Sequence, residues 1–143
     1  HPDLGYIEAM ATLLNKVHID AVALCNTVPN ALVLDRHTLK SVIDPNNGLA
    51  GLSGQAIRPL VMGQVRQYRS RLWPEIDIIA EGGIWTAQAM LEYFAEGASF
   101  CRIGTMYAEK GPRALTRLTE EFVDLMEERG FTSLDHIRRF ATA

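Results

Sequence analysis

The sequence predicts an α/β protein: about three parallel core strands with flanking helices and one small β excursion. Three observations carry this. Short apolar runs alternate with amphipathic stretches at helical spacing. The runs are apolar at successive positions, as in strands covered on both faces. Each run ends in a polar or glycine-rich turn, the arrangement that places ligands at strand C-termini in parallel β/α folds.

The elements follow in order. Leu4, Ile7, Ala11 and Leu14 recur at helical spacing over residues 4–15. His18 to Cys25 reads as a first buried strand, with His18 at its entry as a partly buried or structural residue. Residues 31–47 read as the excursion, with β segments at Ala31–Leu34 and around Ser41–Ile43 and a turn at Asn46-Asn47-Gly48. A helix after Gly54 puts Ile57, Leu60, Val61, Val65 and Tyr68 on one face, and Pro59 suits its first turn, where a missing N–H costs little. The second strand is Ile76–Ala80, broken by Gly82-Gly83. Thr86 is placed to cap a helix carrying Ala87, Met90, Leu91 and Phe94, which Gly97 ends. Ser99–Ile103 is the third strand, closed by Gly104-Thr105. Leu115, Leu118, Phe122, Leu125 and Met126 mark a long amphipathic helix that Gly130 stops. Ser133 then caps a short last helix with Leu134, Ile137 and Phe140.

A full eight-stranded β/α barrel takes about 250 residues. With 143 residues and three convincing strands, the chain is either a small open α/β domain or roughly half a barrel. The opening His1-Pro2 fits processing, trimming or a fragment. An apolar share of 48% is ordinary for a soluble domain, and a net charge of -3 offers no basic footprint for nucleic acid or an acidic membrane. No apolar run approaches the ~20 residues of a membrane helix. Cys25 and Cys101 sit in apolar runs and read as buried, reduced thiols of a cytosolic protein. Arg66, Arg69 and Arg71, and the acidic pairs Glu120-Glu121 and Glu127-Glu128, read as solvated helix faces.

Four places have residues suited to chemistry. Cys25-Asn26-Thr27, followed by Asn30, ends the first strand, and an amide can read a planar ligand bearing carbonyl, imide or carboxylate groups. Gly48 to Gly54 leads into a helix, where small residues let N–H groups approach an anion and the helix adds about half a unit of positive charge. Gly82-Gly83 and Ile103-Gly104-Thr105 close successive strands, resembling the phosphate corner built after the last two strands of many barrels. Together they point to a phosphate-bearing ligand. His1, His18, His37 and His136 show no metal-ligand spacing, and no metal is expected.

These residues fall in a recognisable series. Asn26-Thr27-Val28-Pro29-Asn30-Ala31-Leu32-Val33-Leu34-Asp35, Gly51-Leu52-Ser53-Gly54-Gln55-Ala56-Ile57-Arg58-Pro59, Ile78-Ile79-Ala80-Glu81-Gly82-Gly83-Ile84, Gly97-Ala98-Ser99 with Ile103-Gly104-Thr105, and the tail Met126 to Leu134 resemble class 1 dihydroorotate dehydrogenases in order and spacing. The resemblance implies the C-terminal half of a (β/α)8 TIM barrel over residues 1–143, as a partial barrel domain. It also implies FMN as cofactor and oxidation of dihydroorotate to orotate in cytoplasmic pyrimidine synthesis. Asn26 and Thr27 would contact the orotate-like substrate. Cys25 would bind the cofactor, Ser53 and Gly54 would supply backbone contacts to its phosphate or ribityl region, and Gly82, Gly83, Gly104 and Thr105 would enclose the phosphate.

The same resemblance puts the catalytic base and the flavin-contacting lysines in the N-terminal half, so no catalytic residue is assigned here. The chain is expected either to form a homo-oligomer or to be completed by the missing N-terminal half. The alternatives are a non-catalytic half-barrel that keeps a phosphate or flavin pocket, and another FMN or phosphate-ligand barrel enzyme. Three departures stand out: Ala50 for a glycine, Pro29-Asn30-Ala31 for a more glycine-rich turn, and Glu81 for a small residue. A carboxylate beside a phosphate is repulsive unless it turns away or is neutralised.

Overall fold

Residues 4–142 are described by the computed structural model; His1 and Pro2 lie outside them. Helix α1 spans Leu4–Val17, and strand β1 covers Ala21–Leu24. A small hairpin follows, of β2 (Val28–Ala31) and β3 (Ala50–Leu52), and leads to α2 (Arg58–Arg69). Then come β4 (Asp77–Ala80), α3 (Ala87–Ala95), β5 (Phe100–Cys101), α4 (Thr105–Lys110), α5 (Arg113–Glu128) and α6 (Leu134–Thr142). The central sheet is parallel in the order β1-β4-β5, with Leu24 opposite Ala80 and Ala80 opposite Cys101. The ladder runs on past the named strands: the N–H of Cys25 donates to Glu81 O (3.2 Å) and that of Arg102 to Ala80 O (2.8 Å). Three strand ends are thereby held side by side.

Strand alternation sorts the sheet into two unequal faces. Leu24, Ile78 and Ala80 point into a core built with Ile7 and Ala11 of α1, Val61, Val65 and Tyr68 of α2, and Tyr93 of α3. The opposite face carries Ala21, Ala23, Asp77 and Phe100, all exposed, with Phe100 at 56%. The apolar runs predict strands buried on both faces; among the described residues only one face is covered. A second core of Ala87, Leu91, Phe94, Phe122 and Ile137 joins α3, α5 and α6, with Phe94 and Phe122 ring centroids 5.3 Å apart.

The expected helix boundaries have visible causes. Thr86 Oγ1 accepts the N–H of Ala89 at 3.2 Å, and Ser133 Oγ accepts that of His136 at 3.1 Å. Gly130, at φ 71°, ends α5 by donating to Glu127 O at 3.0 Å.

Several expectations need correction. The paired strands of the excursion are Val28–Ala31 and Ala50–Leu52, whereas Ala31–Leu34 and Ser41–Ile43 meet at a single bridge, Leu34 to Ser41. Pairing is stronger next to the sheet than out at the loop tip. Asn46, Asn47 and Gly48 do form the turn, all three at positive φ. His18 is exposed, its ring tilted against Trp73 with centroids 5.3 Å apart. The arginine cluster is not one solvated face. Arg69 donates to the carbonyls of Ile76, Leu72 and Trp73, and Arg71 to Gln67 and Glu8. Only Arg66 lies out in solvent, forking onto Glu96 at 2.6 and 2.5 Å. Both thiols are free, and they are partly rather than fully buried.

Candidate functional site

The strand order brings the predicted site residues together. Cys25, Asn26, Thr27, Ser53, Gly54, Gly82, Gly83, Gly104 and Thr105 line one cavity of about 210 Å³ at the C-terminal ends of β1, β4 and β5. The loop after β3 closes one side, with Thr105 Oγ1 3.0 Å from Ser53 Oγ. Gly54 does not open an α-helix as the sequence suggests. A 3-10 turn at Gln55–Ile57 intervenes before α2, and Gly54 precedes that turn at φ 78°.

The glycine turns are fixed from behind. A Cβ on Gly83 would stand 2.6 Å from Arg58 Cβ, at a φ of 66° that disfavours any side chain. A Cβ on Gly82 would meet Val61 Cγ2 at 2.6 Å. The carbonyl of Gly82 accepts the hydroxyl of Tyr93 at 2.7 Å, and Tyr93 is itself fully buried in α3. Gly104, by contrast, has open space where a Cβ would point. Among the described residues, the N–H groups of Gly82, Gly83, Gly104 and Thr105 meet no protein acceptor. A cluster of unpaired N–H donors at strand-to-helix turns is what an anion requires.

At the first strand end, Asn26 Oδ1 accepts the N–H of Thr27 at 2.7 Å, which leaves the Asn26 amide nitrogen for a ligand. Burial, joined by the charge of Glu81, pushes the Cys25 thiol up, and burial pushes Cys101 up to about 12. Neither thiol is therefore disposed to act as a thiolate or a base near neutral pH.

Two residues that matter, Arg102 and Tyr93, escape sequence reasoning. Glu81 stands out there as a liability, whereas here its carboxylate forms an ion pair with Arg102. The hydrogen bond and charge of Glu81 in turn push the Arg102 guanidinium up. The signal was present in the register, since Ile79 lies opposite Phe100 and two residues on Glu81 meets Arg102. Tyr93 is the other; eleven residues from Gly82, it reads as one more core aromatic on α3.

Comparison with known proteins fits this geometry. The family model for dihydroorotate dehydrogenase matches residues 2–126. Among curated relatives, the probable dihydroorotate dehydrogenase A (fumarate) of Enterococcus faecalis is 34% identical over 95% of this chain and 44% of its own length. The dihydroorotate dehydrogenase (fumarate) of Saccharomyces cerevisiae is 34% identical over 95% of this chain and 43% of its own. The chain thus spans less than half the length of the curated relatives it matches. The crystal structure of DHODH in complex with ferulenol from Eimeria tenella superposes on 94% of this chain and 34% of that one, with a TM-score of 0.74 at 23% identity. That likeness establishes the fold: the C-terminal half of a barrel whose inward face is the exposed one here.

Proposed function

Since the chain belongs to the dihydroorotate dehydrogenase family, we propose that it is the flavin-phosphate-binding part of a class 1, cytoplasmic enzyme that oxidises dihydroorotate to orotate with FMN. One observation carries the reading: nine predicted site residues from four separate segments converge on a single cavity. Drug-sized ligands need about 300–1,000 Å³. At about 210 Å³ the cavity takes only part of a flavin, and the remainder would be enclosed by the half of the barrel that precedes these elements in the relatives.

The residues present fit the phosphate end of FMN. The N–H groups of Gly82, Gly83, Gly104 and Thr105 and the hydroxyls of Ser53 and Thr105 form a donor-rich set, and Glu81 is neutralised rather than bare. When bound, FMN supplies the two-electron acceptor that protein side chains lack. The chain's own part is placement. The glycine turns would fix the phosphate, and Asn26 with Thr27 would orient the planar substrate by hydrogen bonds. The proton that leaves dihydroorotate with the hydride needs a base, and the raised thiols of Cys25 and Cys101 do not provide one. That base would come from the N-terminal half.

The partner surfaces belong to the same reading. The open sheet face with Ala21, Ala23 and Phe100 would receive the N-terminal half. The hairpin arm exposes Leu32, Val33, Leu34, Leu39 and Val42, an apolar patch suited to a homo-oligomer. A second reading, a flavin-binding half-barrel without catalysis, is favoured by Cys25, whose raised thiol lines the cavity without offering a thiolate. Co-expression with the N-terminal half of a class 1 relative tests both. Dihydroorotate oxidation that falls about tenfold or more in Asn26→Ala, with weakened orotate binding, supports the enzyme. A complemented barrel that binds FMN but leaves dihydroorotate unchanged supports the second reading.

A further inference from the structure

The cavity has two charged side chains in its lining, Glu81 and Arg102, and they are paired to each other. Their meeting is built into the register. Ile79 and Phe100 are opposite neighbours on the inward sheet face, and the next residues on that face are Glu81 and Arg102. The N–H of Arg102 donates to Ala80 O at 2.8 Å, which locks the two strand ends at this level. Glu81 directly precedes Gly82-Gly83, and Arg102 stands two residues before Gly104-Thr105, so the pair lies at the root of both anion-suited turns.

A phosphate monoester carries about -1.5 to -2 charges. Beside a bare carboxylate it would be repelled, the more so because a cavity screens charge less than water does. We propose that Arg102 is a specificity-determining residue that cancels the charge of Glu81 and so opens the cavity to a phosphate-bearing ligand. The proposal rests on the phosphate-binding reading of this cavity and adds the residue that makes the reading compatible with Glu81. It predicts dependence on the balance of the two charges rather than on Arg102 alone. Removing the cation leaves an uncompensated anion, whereas removing both charges leaves the N–H donors of the turns free to act.

The test is a titration of the chain with inorganic phosphate, following the amide resonances of Gly82, Gly83, Gly104 and Thr105, with circular dichroism confirming the fold of each variant. Arg102→Gln is expected to weaken phosphate about tenfold, and Arg102→Lys to keep most of the affinity. Glu81→Gln should bind at least as tightly as the parent chain. The double variant Glu81→Gln/Arg102→Gln should recover the loss. Should Glu81→Gln weaken binding as much as Arg102→Gln, the pair is merely structural and the proposal falls. A double variant as weak as Arg102→Gln would make Arg102 a direct ligand and also overturn it. The same holds if phosphate leaves the parent resonances unmoved. A parallel FMN titration keeps the two readings apart: phosphate bound with this charge pattern while FMN is refused rejects the flavin, not the role of the pair.

Discussion

Tyr93 reaches from the buried side of α3 to the carbonyl of Gly82 and so ties a helix to a cavity-lining turn. Tyr93→Phe removes that hydroxyl and leaves a part-buried acceptor unpaired. It should cost about 1–2 kcal/mol in urea unfolding, with a matching loss of flavin affinity. Cys101 offers a check by pH. Its folded thiol keeps its proton up to about 12, against an ordinary value of 9.0. Below pH 9 both folded and unfolded thiols are protonated and the group adds no pH dependence. As pH rises from 9 toward 12 the unfolded chain releases a proton that the folded one retains, so stability falls by about 1.4 kcal/mol per pH unit. Cys101→Ala should flatten that part of the alkaline slope in denaturation curves at pH 8, 9 and 10. The cavity-lining glycines and Asn26 were legible in the sequence because strand ends and glycine turns leave local marks. Tyr93 and Arg102 were not, because their roles depend on a helix packing and a register between separate segments.

Helices were legible where a period of 3.6 and a capping residue coincide. Thr86 at the start of α3 is the clearest case, and α3 supports both the Gly82 turn and the second core. Thr86→Ala should cost about 1 kcal/mol, read as a lower thermal midpoint with an unchanged far-ultraviolet spectrum. The six-residue α4 went unpredicted, since it is too short to show a period and starts at Thr105, which reads equally well as the end of a turn. The hairpin was misplaced for a related reason. Pro29 and Asn30 look like turn residues, yet β2 runs through them with an irregularity in its pairing to β3, and Asn30 sits at a φ of 64°. A bulged edge accommodates what a regular strand would exclude.

The unequal sheet faces govern the molecule as a whole. The sequence signalled strands made to be covered on both sides, and the chain by itself covers one. The apolar pattern is the one that a complete barrel would bury on both faces. The mismatch between pattern and burial matches the share of the relatives' length that the chain spans. An exposed parallel sheet with Phe100 at its edge should drive association until another half-barrel covers it. The proposed phosphate corner differs in this respect, because β4, β5 and the turns that follow them all lie within the chain. Whether this chain carries the phosphate end of an FMN site is read by a fluorescence titration with FMN and with riboflavin, which lacks the phosphate. It should be run on the chain alone and on the chain complemented by an N-terminal half. Saturable FMN binding at about micromolar level is expected, tighter on complementation, with riboflavin at least about tenfold weaker in both cases. Equal binding of the two flavins, or no FMN binding even after complementation, would contradict the FMN reading.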